Sequence, residues 1–259
     1  SVERDGHVSL AAWKEALRQH KPRLAAFTHA SNVTGAVNDC AALTQAAKNV
    51  GAAVLLDASQ SLGVIPVLPQ KWDVDMAAFT GHKYLLGPQG TGGLYVREGL
   101  ELRPILTGGT GIHSDEDEMP REMPLHLEAG TGNEPSFLGL QSALEWSSAY
   151  PLDPNRLNAN VMALEQGLLR MGLQVVQVEG ERTPVLAFTG GPLSPEDWGD
   201  VLVGGYDIVC RTGLHCAPRI LPALGFPAAG SVRLSLSRFT TEKEIGAVLS
   251  AFEEILSDG

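Results

Sequence analysis

The sequence predicts an α/β protein: a large unit with a mostly parallel sheet, followed by a smaller C-terminal α+β unit. Three observations carry that expectation. Short apolar runs that end in polar residues recur at 24–27, 54–57 and 76–79. An Ala-rich stretch over 39–50 lies between the first two, with Leu43, Ala46, Ala47 and Val50 at helical spacing. Beyond Tyr150 the pattern changes to long amphipathic segments separated by isolated strand-like runs. Strands alternating with helical stretches favour parallel pairing, because a parallel neighbour needs a long crossover.

The elements follow in order. Gly51 closes the first helical stretch, and Gly92–Val96 reads as one more strand after 76–79. Residues 107–136 are rich in Gly and carry no clear period, and their acidic run Asp115–Glu118 reads as a solvated loop without function. Residues 136–150 resemble a helix that the Pro-containing stretch 150–154 breaks. The division is therefore expected near 150, giving units 1–150 and 151–259. In the second unit, Leu157, Val161, Leu164, Leu168 and Met171 share one helical face, and 175–178 and 185–188 read as strands. Ser194 with Pro195 marks a helix start. Thr241 and Glu244 form a capping box opening a last helix, whose apolar side holds Ile245, Val248, Leu249, Phe252 and Ile255.

Composition narrows the class of function. The 259 residues are 44% hydrophobic and 19% charged, the balance of a globular protein. A net charge of −11 would repel a phosphate backbone, so no nucleic-acid partner is expected. No apolar run is long enough to cross a bilayer, and the segment opening at Ser1 does not read as a signal peptide. Cys40, Cys210 and Cys216 are too few for a disulfide framework, and no Cys/His spacing suits zinc. No metal is expected, and a reducing, cytoplasmic setting is.

Ligands of open α/β sheets sit beyond the carboxyl ends of the strands. Here one run leads into Thr28-His29-Ala30-Ser31-Asn32, another ends at Asp57 with Gln60 a turn later, and a third ends at Thr80-Gly81-His82-Lys83. An amide, a carboxylate, an imidazole and an amine would share one crevice. Such a set suits pyridoxal 5′-phosphate (PLP): the amine forms an imine with its aldehyde, and a carboxylate keeps its ring nitrogen protonated. Taken singly, a strand-end Asp is most often a cap and a His-Lys pair most often lies on the surface.

The stretch from Val54 to Gln60, followed by residues 79–96, resembles the PLP-dependent class V aminotransferase and cysteine desulfurase family, of fold type I. The resemblance implies Lys83 as the imine lysine, Asp57 at the pyridine nitrogen, Gln60 at the ring hydroxyl, and Thr80 with His82 at the phosphate. It also implies Asn32, in the Ser31–Gly35 loop, near ring and substrate. The Glu128–Asn133 stretch is similar to a family motif in which the Thr, here Thr131, reaches the phosphate bound by a neighbouring subunit. A homodimer follows from that. The loop Arg211-Thr-Gly-Leu-His-Cys216 is similar to the one that supplies the nucleophilic cysteine of desulfurases, which implies Cys216 for that role. Arg233 then grips the substrate carboxylate, as a guanidinium can do with two parallel hydrogen bonds, and Arg211 stands beside it. Cationic neighbours such as Arg211 or His215 would favour the thiolate. Cys40 and Cys210 read as core, and His29 as a residue without an assignable role.

The front departs from the pattern. The family's upstream phosphate-binding turn and ring-stacking residue have no counterpart before Leu24. The expected function is removal of sulfur from L-cysteine to give alanine and an enzyme persulfide, with an amino acid as substrate and a sulfur-acceptor protein as partner. The alternatives are selenocysteine lyase, transamination or epimerisation, and, in another class, a catalytically silent dimerisation fragment.

Overall fold

The computed structural model describes residues 1–112, 118–227 and 229–257. The acidic run Asp115–Glu118 therefore lies outside the described residues except for Glu118.

The chain opens with helix α1 (Leu10–His20), not expected from the sequence although Leu10, Trp13 and Leu17 share one face. Ser9 Oγ accepts from the Ala12 amide at its start, and Lys21 ends it in the left-handed region at φ 42°. Strand β1 (Leu24–Thr28) follows, then α2 (Cys40–Lys48) and β2 (Ala53–Asp57). Asp39 caps α2, and Leu43, Ala46 and Ala47 are buried on the face their spacing predicts. Strand β3 (Met76–Thr80) pairs parallel to β2, and β4 (Gly92–Val96) pairs antiparallel to β3, in the order β1-β2-β3-β4. The sheet is mostly parallel as expected, with two local differences. Turns rather than a helix connect β2 to β3, and β4 returns as a hairpin. The β3–β4 connection spans only residues 81–91, too short for a parallel crossover.

Helix α3 (Glu134–Ala149) closes the first unit, its buried Leu140 set against Gly81 and Gly87. The second unit contains α4 (Pro154–Arg170), β5 (Gln174–Val175), β6 (Val185–Thr189), α5 (Pro195–Tyr206), β7 (Arg211–Gly213), α6 (Ile220–Ala223), β8 (Ser231–Ser235) and α7 (Glu242–Ser257). Its sheet runs β5-β6-β8-β7 and is antiparallel throughout. Strand β5 is shorter than the apolar run 175–178 suggests. Val175 and Val176 are both buried in succession, so that run reflects burial rather than pairing. The predicted caps are present: Ser194 Oγ accepts from Asp197 N at 3.1 Å, and Thr241 and Glu244 bond reciprocally.

The core of this unit gathers Leu157, Val161, Leu164 and Leu168 of α4, Leu202 of α5, and Ile245 and Phe252 of α7 around β6 and β8. At its centre the Trp198 and Phe252 rings stack at 4.9 Å, and Phe188 meets Trp198 edge-on at 5.6 Å. Among the described residues no helix is long and apolar enough to cross a membrane.

One feature of the fold governs the site. The loop after β1 leaves the parallel sheet and lies against the second unit. Ala36 bridges to Arg182, the Gly35 carbonyl accepts from Thr183 N at 2.9 Å, and Val33 packs with Ala187 and Leu221. Gly35, at φ 80°, is required there, because a Cβ would lie 2.6 Å from the Val185 carbonyl oxygen. Asn32 is thereby carried from the end of a parallel strand to the edge of an antiparallel sheet.

Candidate active site

The carboxyl ends of β2 and β3 set the first half of the site. Register pairs Thr28 with Asp57 and Asp57 with Ala78, so Thr28, Asp57 and Thr80 end on one rim. Asp57 is exposed, and its Oδ1 accepts from Ser59 N at 2.9 Å, which fixes the carboxylate by a local turn. Gln60 is half-buried in that same turn, where Ser61 N bonds to the Ala58 carbonyl at 3.1 Å.

Lys83 stands on a tight loop between β3 and β4. Gly81 ties that loop twice: its N–H bonds the Thr91 carbonyl and its carbonyl accepts from Gly87 N, both at 2.8 Å. A Cβ on Gly81 would lie 2.1 Å from Thr91 Oγ1, so the close approach needs glycine. Lys83 is half-buried, and burial lowers its pKa, with Arg233 acting in the same direction and Asp57 and Cys216 opposing. The amine is thus shifted toward the neutral form that attacks a carbonyl. His82 beside it is exposed.

The second half comes from β7, β8 and the turn that follows β7. Arg211 and Arg233 are register partners. Arg211 Nη2 donates to Cys216 Sγ at 2.9 Å, and Arg233 Nη1 donates to the Asn32 carbonyl at 3.1 Å. Asn32 Nδ2 in turn donates to the His215 carbonyl at 2.6 Å. Burial lowers the Arg233 pKa, with Arg211 adding to the effect while Tyr84 and Cys216 oppose it. Burial likewise pushes the Tyr84 phenol up to about 12. Cys216 is the exposed member of three free cysteines, whereas Cys40 is buried and Cys210 packs against the core.

Lys83, Asp57, Asn32, Arg211, Arg233 and Cys216 therefore converge. Thr131 stands apart: it is exposed and lines an open groove with Leu106, Phe137 and Leu138, none of which belongs to this cluster. One expectation is corrected. His215 is not a cationic neighbour of the thiol, because burial, with Arg233 and Arg211 adding, pushes its pKa down to about 4. His29, unassigned from sequence, is buried edge-on against Trp72 at 4.9 Å, and its backbone N–H bonds the Asp57 carbonyl at 2.8 Å. Sequence reasoning passed over Tyr84 and Ser231. Tyr84 follows the lysine directly, but Ser231 carried no signal because its partner is sixteen residues away.

The aminotransferase class-V family model matches residues 1–248. The chain belongs to that family. A curated cysteine desulfurase of Escherichia coli O127:H6 is 36% identical over 252 residues, covering 92% of this chain and 60% of the relative. The apo cysteine desulfurase of Thermococcus onnurineus NA1 superposes with a TM-score of 0.90 at 27% identity, over 100% of this chain and 66% of that one. The E. coli cysteine desulfurase CsdA, in an S-sulfonic acid form, superposes with a TM-score of 0.83 at 31% identity, over 94% and 62%. The chain thus spans about 60% of the length of the curated relatives it matches.

Members of this family are PLP-dependent, and the residues here fit that cofactor. Thr80 Oγ1 and Arg233 Nε are buried polar atoms without a partner, as groups meant for a polar ligand would be. Lys83 would hold the aldehyde carbon and Asp57 the ring nitrogen, with Gln60 at the ring hydroxyl and Thr80 and His82 at the phosphate. Among the described residues no three His, Cys, Asp or Glu side chains gather to hold a metal ion.

Proposed function

We propose that this protein takes sulfur from L-cysteine, releasing alanine and leaving a persulfide on Cys216. The observation that carries this reading is the exposed Cys216 thiol, held 2.9 Å from the Arg211 guanidinium within electrostatic reach of Lys83 and Arg233. Identity with curated cysteine desulfurases supports it.

When bound, PLP supplies an electron sink for the bond pair at the substrate α-carbon. The chain's own groups do the rest. Arg233 binds the substrate carboxylate. Lys83, whose pKa burial lowers, takes the α-proton and returns it. Cys216 Sγ, as thiolate, attacks the substrate sulfur. An S–S bond forms, the substrate C–S bond breaks with its electron pair going to carbon, and protonation there completes alanine.

Further parts of the reading concern the whole protein. A homodimer is supported by α3, which buries only Leu140 and leaves Phe137 and Leu138 exposed beside exposed Leu106 in one open groove. A sulfur-acceptor protein is supported by exposed Leu214 two residues from Cys216. Three free thiols support a reducing, cytoplasmic setting. Selenocysteine would meet the same groups, and its kcat/KM measured against that of cysteine separates the two substrates.

The test is Cys216→Ala in the PLP-loaded protein. With an added dithiol to reduce any persulfide, the absorbance change on adding cysteine should persist, while sulfide and alanine release should cease. Release at the native rate would remove the persulfide route and favour transamination.

A further inference from the structure

His215 and Cys216 are consecutive non-glycine residues with positive φ, 53° and 61°. Side chains other than glycine rarely adopt this left-handed backbone, so a consecutive pair persists only where surrounding contacts hold it. The contacts are specific. The His215 side chain is buried, with residual exposure of 1%, and its Nε2 shares a hydrogen bond of 2.9 Å with Ser231 Oγ, itself fully buried at the start of β8. The His215 carbonyl is held by Asn32 Nδ2 at 2.6 Å, and Ala217 N closes the turn on the Leu214 carbonyl at 2.9 Å. Beneath them Gly230 lies so close to Gly213 that a Cβ would sit 2.7 Å from its backbone. The imidazole thus spans the turn from one strand to the next, leaving Cys216 at the exposed tip.

We propose that His215 is a positioning residue for Cys216: its imidazole, anchored on Ser231, holds the left-handed pair and so keeps the Cys216 sulfur against Arg211. The inference rests on the desulfurase reading for its effect on turnover, though not for its effect on the thiol. It differs from a free-swinging cysteine loop, because the side chain beside the nucleophile is the best-buried part of the turn. Burial, with Arg233 and Arg211 adding, pushes the His215 pKa down to about 4, so at neutral pH the ring acts through its hydrogen bond to Ser231 and not through a positive charge.

The test compares His215→Leu, which fills the space without the hydrogen bond, with His215→Gln, which can bond Ser231 again. Ser231→Ala removes only the hydroxyl, should the leucine variant fail to fold. In the PLP-loaded protein, with an added dithiol to reduce the persulfide to sulfide, His215→Leu or Ser231→Ala should lower kcat for sulfide release about tenfold or more, with KM for cysteine and cofactor absorbance nearly unchanged. His215→Gln should recover most of the loss. Independently of turnover, iodoacetamide should label Cys216 several-fold more slowly in the leucine or alanine variant, located by peptide mass. A native rate of both labelling and turnover in those variants would overturn the proposal, as would His215→Gln behaving no better than His215→Leu. Sulfide release that survives Cys216→Ala removes the desulfurase reading instead, and the labelling rates still decide the role of His215.

Discussion

The two halves of the candidate site are built in different ways. At the ends of β2 and β3, Asp57, Thr80 and Lys83 are placed almost wholly by backbone: strand register, a local Asp57 turn, and the Gly81 bonds to Thr91 and Gly87. Their side chains make few bonds, and Thr80 Oγ1 makes none. At the β7–β8 edge the side chains hold one another, through Arg211 to Cys216, Arg233 to Asn32, Asn32 to His215 and His215 to Ser231. Groups that meet a bound cofactor are left unpaired until it arrives. A nucleophile that meets a small substrate must be held beforehand. Substitutions in the first half should therefore cost function without stability, and those in the second should cost geometry.

The largest effect is expected at Lys83. Lys83→Ala should reduce turnover by ~10³-fold or more and abolish borohydride-trapped cofactor on the chain, with the melting temperature unchanged. A trapped adduct elsewhere would break the comparison at its base. In the second half, Arg233→Lys retains the charge but not the fork, and KM for cysteine should rise about 10- to 100-fold by steady-state assay. The same change should disturb the Asn32 loop, to which Arg233 is bonded, so some stability should also be lost.

Acid should expose the buried histidines. His29 and His215 both have pKa values pushed down from 6.5 to about 4 by burial. The unfolded chain then binds more protons than the folded one between those values. The stabilisation is complete above about pH 6.5 and is lost as pH falls toward 4. The urea midpoint should be lower at pH 4.5 than at pH 7, and His215→Gln should remove its share of that difference. A smaller effect belongs to Thr80→Val. It should weaken PLP binding about tenfold in a titration while leaving stability without cofactor unchanged, because no protein bond is lost.

The elements were legible where periodicity and capping agree. The apolar face of α4, the Ser194 start of α5 and the Thr241–Glu244 box of α7 stand where spacing puts them. Strand direction was not legible for β4, because an apolar run has no polarity and only the shortness of 81–91 requires a hairpin. Helix α1 was legible by the same rules though not assigned: Ser9 caps it, and Leu10, Trp13 and Leu17 stand three and four apart and pack on the core of the first unit. In the site, the resemblance named Lys83, Asp57, Cys216 and Arg233, and the structure brings all four together. Thr131 stays outside that cluster within one chain.

By itself the sequence determined the local chemistry: which residue types end each strand, where helices start, and that an amine, a carboxylate, a thiol and two guanidinium groups were available. Those follow from short-range rules, caps and periods that act over a few residues. The tertiary structure alone decided that Asn32 would cross from one sheet to the edge of the other, and that His215 would be neutral and anchored on Ser231 rather than a cation beside the thiol. The physical reason is distance along the chain. Burial and hydrogen bonding between residues 183 positions apart leave no pattern in either segment, yet they set the charge of one side chain and the conformation of its neighbour.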